Sequence, residues 1–79
     1  MTMKTRTLKV GGTYRHFKGN LYKVIGIAKH SENCEDYVVY QQMYGDEAMW
    51  IRPLSMFLEE VDREKYPDIE QKYRFELVE

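Results

Sequence analysis

Short runs of strand-forming residues, separated by turn residues, recur along the chain. TYRHF (13–17) is the first, and KGN (18–20) follows as a turn in which Gly19 and Asn20 tolerate positive φ. LYKVIGIAKH (21–30) predicts a longer strand, with Leu21, Lys23, Ile25, Ile27 and Lys29 on one face. Tyr22, Val24, Gly26, Ala28 and His30 form its other face. Both faces hold apolar residues, as in a central strand that bends, and Gly26 stands mid-strand where a bulge falls. SENCED (31–36) is turn material, YVVYQQMY (37–44) a third strand, and GDE (45–47) a tight turn into AMWIR (48–52). Pro53 stops the ladder. LSMFLEEV (54–61) then predicts one helical or 3₁₀ turn with Met56, Phe57 and Val61 facing inward. DREKYPDIEQ (62–71) reads as charged and exposed. KYRFELV (72–78) alternates as a closing strand, with Tyr73, Phe75 and Leu77 set against Arg74 and Glu76.

Five strands and one short turn predict a mainly β fold. The expected form is a small five-stranded SH3-like barrel or a rolled antiparallel sheet, with a short helical turn near residues 54–58. Residues 1–10 read as a flexible arm and 11–79 as a single small β domain. A chain of 79 residues buries only roughly 60% of the surface exposed by its unfolded form, so the core is thin. Seven Tyr, three Phe and one Trp offset this, because large rings bury much area per residue ordered.

Charge changes the picture in one respect. Residues 1–30 hold Lys4, Arg6, Lys9, Arg15, Lys18, Lys23 and Lys29 with no acidic residue, whereas all thirteen acidic residues follow. Such asymmetry can mark an anion-binding half, but the favoured reading is strands that neutralise one another on pairing. The single cysteine, Cys34, excludes an intramolecular disulfide and a Cys-based zinc site. The polar N-terminus MTMKTRTLKV and the short apolar runs predict a cytoplasmic protein with no membrane partner.

Catalytic patterns are weak. His30, Ser31 and Asp36 are the residue types of a hydrolase triad, but adjacent strand residues point to opposite faces and no G-x-S-x-G elbow is present. Cys34 lies among Glu32, Glu35 and Asp36, which disfavour a thiolate. His16, His30, Glu32 and Glu35 lack compact metal-ligand spacing, and no Gly-rich phosphate loop occurs. No cofactor or metal is expected, and binding is favoured over catalysis.

A binding surface is better supported. In TYRHFKG, Tyr14, His16 and Lys18 share one face and Arg15 and Phe17 the other. Cations interleaved with aromatic rings contact phosphates and stack bases. Tyr22, Tyr40, Tyr44, Trp50 and Arg52 extend such a surface across neighbouring strands. The structural alternative is that these rings fill the core, and Trp50, between Met49 and Ile51, is the leading core candidate. Arg52 is read first as a pin pairing with Glu32 or Glu35, second as a ligand-binding cation. Ser31 and Asn33 are expected to cap the turn locally.

GGTYRHFKGNLYKVIGIAKHSENCEDYVVYQQMYGDEAMWIRPLSMFLEEV resembles the small bacterial family called domain of unknown function 1653. That family's pattern runs G-x-Y-R-H-F/Y-K-G, Y-x-V, A-x-H-S-E-T, V-V-Y, L-Y-G, W-V-R-P and M-F. Its first block falls on Gly12, Tyr14, Arg15, His16, Lys18 and Gly19, and its second on Tyr22, Val24, Ala28, His30, Ser31 and Glu32. The rest covers Val38 through Tyr40, Tyr44, Gly45, Trp50, Arg52, Pro53, Met56 and Phe57. Asn33, Met43 and Ile51 stand where the pattern has Thr, Leu and Val, and the match weakens after residue 61. The resemblance implies a compact β-rich domain and no particular activity. It also collects Arg15, His16, His30, Glu32 and Arg52, polar residues that a core alone does not demand.

The leading expectation is therefore a binding module that contacts nucleic acid or another anionic ligand. Its candidate residues are Arg15, His16, Lys18, Tyr22, His30, Glu32, Tyr40 and Arg52. The alternatives are a small-molecule-binding or hydrolytic domain centred on His30, Ser31, Glu32 and Arg52, and a structural domain that self-associates as a homodimer.

Overall fold

The sheet is built from strands whose β-branched and aromatic residues suit a pleated, half-buried surface. A computed structural model describes residues 7–78 of the chain. Its strands are β1 (Thr13–His16), β2 (Leu21–Lys29), β3 (Asp36–Gln42), β4 (Met49–Pro53) and β5 (Phe75–Leu77). They form one antiparallel sheet in the order β4-β3-β2-β1-β5. The sheet stays open, with β4 and β5 at its edges, so the rolled alternative is the one formed.

Each connection follows local chemistry. Between β1 and β2, Gly19 takes φ +108° and its N–H donates to His16 O at 2.7 Å. Between β2 and β3, His30 N–H donates to Glu35 O, and Asn33 Oδ1 accepts from Glu35 N–H. Asn33 caps this turn as expected, whereas Ser31 makes no such bond among the described residues. The β3–β4 turn is longer than GDE alone, because Gly45 and Glu47 both take left-handed φ and the strands stop at Gln42 and Met49.

The expected irregularity at Gly26 is present. The β2–β3 register shifts between Val24 and Gly26, leaving Ile25 as the extra residue. A bulge increases local twist, which helps the sheet roll. The concave face then gathers Tyr14, Val24, Val38, Tyr40, Phe57 and Phe75 into one core, with Val61 also buried.

Pro53 opens the single turn α1 (Leu54–Phe57), its ring holding φ at −52°. Phe57 points inward as expected, but Met56 is 42% exposed. A single turn presents only one side to the sheet, and Phe57 occupies it. The closing strand begins three residues later than its alternation suggests. Glu60 and Tyr73 form an isolated bridge, and Arg74 N–H donates to Glu59 O, so residues 72–74 pair with 59–61 before β5 joins β1.

Residues 1–6 of the expected arm lie outside the described residues. The remainder is tethered: Lys9 N–H donates to the Tyr14 hydroxyl at 2.9 Å, and Leu8 packs against the core. Among the described residues, no helix is long and apolar enough to cross a membrane.

Candidate functional site

Alternation along β3 and β4 decides which side chains meet. Tyr40 pairs with Trp50, Val38 with Arg52, and Tyr22 with Gln42, and residues paired in this way share a face. Their common face is the concave one. Beyond the edge of the core, Tyr22, Tyr40, Gln42, Tyr44, Trp50 and Arg52 line a cleft of about 260 Å³. This is slightly below the roughly 300–1,000 Å³ of drug-sized ligand sites and suits one ring or one small anion.

Hydrogen bonds hold the cleft walls. Trp50 Nε1–H donates to Gln42 Oε1 at 2.6 Å, and Gln42 Nε2 reaches Asp46 Oδ1 at 3.1 Å. The Tyr22 and Tyr44 hydroxyls are 2.6 Å apart. Burial first, and the Tyr44 hydroxyl second, push the Tyr22 phenol up to about 12.

Arg52 is the cation of this site. Its Nε–H donates to the Tyr40 hydroxyl at 3.3 Å, and its guanidinium lies 5.8 Å from the Phe75 ring centroid. The expected pin to Glu32 or Glu35 is not formed. Arg52 stands opposite Val38 on the concave face, whereas His30 leans on Tyr37, the neighbouring residue that points to the other face. Among the described residues no carboxylate pairs with Arg52; the ion pairs there are Lys29–Asp36 and Arg74–Glu59.

His16 sits behind the cleft, edge-on to Phe75 at 4.9 Å and to Tyr22 at 6.4 Å. Its Nδ1 accepts the Lys18 backbone N–H at 3.1 Å, a bond open to the neutral ring. Burial, then the charges of Arg52, Arg74 and Lys18, lower its pKa to about 4. The Arg52 charge thus extends into the aromatic cluster.

The candidate residues divide accordingly. Tyr22, Tyr40 and Arg52 line the cleft, and His16 stands behind it. Arg15 is opposite Glu76 on the convex face, and Lys18 lies over the Phe17 and Tyr66 rings. His30 and Glu32 close the β2–β3 turn, where His30 Nδ1 accepts the Glu32 N–H. The grouping of His30, Ser31, Glu32 and Arg52 is therefore not assembled. Charge neutralisation across strands is present at Lys29–Asp36, which are 2.9 Å apart. No group of three potential metal ligands occurs among the described residues.

Trp50 corrects another expectation: it is 50% exposed rather than core. Edge strand β4 has no neighbour beyond it to cover the indole. Gln42 was legible only through register, since it continues the Val38-Tyr40 alternation into the cleft.

A family model described as a protein of unknown function, DUF1653, matches residues 12–77. The chain belongs to the DUF1653 family. The match runs past residue 61 because β5 is part of the fold, pairing with β1 and sending Phe75 into the core. A crystal structure of a DUF1653 protein from Bordetella bronchiseptica is similar to this chain at TM-score 0.68 and 34% identity. The similarity covers 82% of this chain and 81% of that one. No curated protein matches the chain. Every residue lining the cleft falls within the DUF1653 match.

Proposed function

We propose that this DUF1653 domain is a binding module for single-stranded nucleic acid, with Arg52 receiving a phosphate and Trp50 and Tyr44 offering ring faces to a base. The observation that carries this reading is Arg52 itself, a half-buried guanidinium with no carboxylate partner among the described residues, in an aromatic cleft. An arginine has five N–H donors, and among the described residues a side chain engages only Nε–H. An anion satisfies the others bidentately.

The cleft's size supports a unit no larger than about one nucleotide. Exposed rings beside a cation are the elements by which single strands bind with little sequence preference, because every base has a π-face. Trp50 and Tyr44 are 50% and 37% exposed.

Trp50 is the sole tryptophan, so its fluorescence reports on the cleft alone. Titration with short oligo-dT at low salt is expected to quench it, and Arg52→Ala to weaken the binding at least tenfold, roughly the loss of one charged contact. Unchanged fluorescence at millimolar oligonucleotide, or quenching that Arg52→Ala leaves intact, would refute the reading.

A further inference from the structure

We propose that two copies of this chain join through β4, edge to edge and antiparallel, about a two-fold axis at Ile51. The proposal stands on the edge strand and not on what the cleft binds.

The outer edge of β4 carries hydrogen-bonding groups. Gln42 N–H donates to Ala48 O, and β3 and β4 then pair in register through Tyr40–Trp50 and Val38–Arg52. With the two-residue period of a strand, Ala48, Trp50 and Arg52 turn their backbone groups toward β3. Met49, Ile51 and Pro53 turn theirs outward. The opposite edge, β5, has three residues, a length that itself discourages pairing.

Edge strands are commonly protected by outward charges, above all lysine. On the convex side β4 has none. Met49 and Ile51 are there, 56% and 64% exposed, followed by Pro53. A single exposed apolar residue needs no account, but a run of them on an open edge marks an interface.

The sequence MWIRP is self-complementary in this arrangement. With Ile51 opposite Ile51 of the second copy, each Ile51 N–H meets the other's carbonyl. Met49 N–H meets the carbonyl of the second copy's Pro53. Proline has no N–H, so the register leaves one outward group of each copy unmatched, the Met49 carbonyl. On the convex face the facing pairs are Ile51 with Ile51 and Met49 with Pro53, all uncharged.

On the concave face the same register sets Trp50 opposite Arg52 of the second copy. A guanidinium beside an indole is favourable, more so when partly shielded from water. The two clefts then adjoin across the axis. Each gains the second copy's cation at its Trp50 wall, and the pair forms one continuous basic-aromatic trough.

The test uses the full chain, with reductant present so that a disulfide through exposed Cys34 contributes nothing. Sedimentation from micromolar to millimolar protein is expected to show a monomer–dimer equilibrium. Hydrogen exchange at the Met49 and Ile51 amides is expected to slow as protein concentration rises, while the Trp50 and Arg52 amides, bonded to β3, stay protected throughout. Ile51→Lys, which places like charges on the axis, is expected to raise the dimer dissociation constant at least tenfold with an unchanged circular dichroism spectrum. A monomer at every concentration overturns the proposal. So does a dimer whose Met49 and Ile51 amides exchange freely, or a folded Ile51→Lys protein that dimerises like the parent. Should that variant not fold, the exchange pattern of the parent decides. Oligonucleotide that leaves Trp50 unquenched bears on the cleft reading alone.

Discussion

Phe75 of β5 lies flat on Phe57 of α1, with ring centroids 4.1 Å apart and planes 8° from parallel. This stack joins the last strand to the one helical turn, and Tyr14 and Tyr40 meet Phe57 edge-on at 5.5 and 5.2 Å. The Arg52 guanidinium lies 5.8 Å from the Phe75 ring centroid, so a ring of the core also neighbours the cation of the cleft. Phe75→Ala should cost about 3–5 kcal/mol, the usual loss for a buried phenylalanine. Small domains hold only about 5–15 kcal/mol in all. Urea unfolding should show the midpoint falling sharply or the folded state lost.

His16 predicts a pH dependence of stability. Its folded pKa, near 4, lies below the ordinary 6.5, so the unfolded chain takes up the proton first. Stability from the neutral ring is full above pH 6.5 and declines as pH falls toward 4. His16→Gln should flatten the decline between pH 6.5 and 5, before most carboxylates titrate. Thermal unfolding of both proteins across that window checks this. Equal slopes would mean that His16 is not the group responsible.

Two glycines should respond differently to alanine. Gly19 has φ +108°, where a Cβ is strained, so Gly19→Ala should lose about 1 kcal/mol or more. Gly26 has ordinary φ, and a Cβ there meets nothing within 4 Å. Gly26→Ala should therefore be neutral or gain up to about 1 kcal/mol by restricting the unfolded chain. The denaturation midpoint should fall for Gly19→Ala and hold or rise for Gly26→Ala.

Arg52 should leave a salt signature. Each phosphate contacted on a single strand contributes a slope of about −0.7 to log affinity against log salt. Arg52→Gln should reduce the magnitude of that slope by about one such contact. Trp50→Phe should weaken oligonucleotide binding at every salt concentration alike. Binding followed by anisotropy separates the two. A slope that Arg52→Gln leaves unchanged would place the phosphate elsewhere.

Much of the fold can be read from local residues. Gly19 and Asn20 announce the first hairpin, Gly26 the bulge between β2 and β3, Pro53 the end of β4, and Phe57 the inward side of the turn that follows. Each reflects a conformational preference within a few neighbours, so the chain alone exposes it. The β3–β4 turn was less legible, because Glu47 takes a left-handed φ that its residue type does not favour.

The site divides in the same way. Its ingredients, tyrosines beside Arg52, were visible in the sequence, and so was the two-residue alternation that puts Tyr40 and Gln42 on one face. Strand order decided the rest. With β4 at the edge, Trp50 borders a cleft instead of the core, and Arg52 turns to Tyr40 and Phe75 instead of Glu32 or Glu35. Local preference sets where strands and turns fall along the chain. Which strand is left without a neighbour, and hence which rings stay open to a partner, is set by burial summed over the whole sheet, and no single segment encodes that sum.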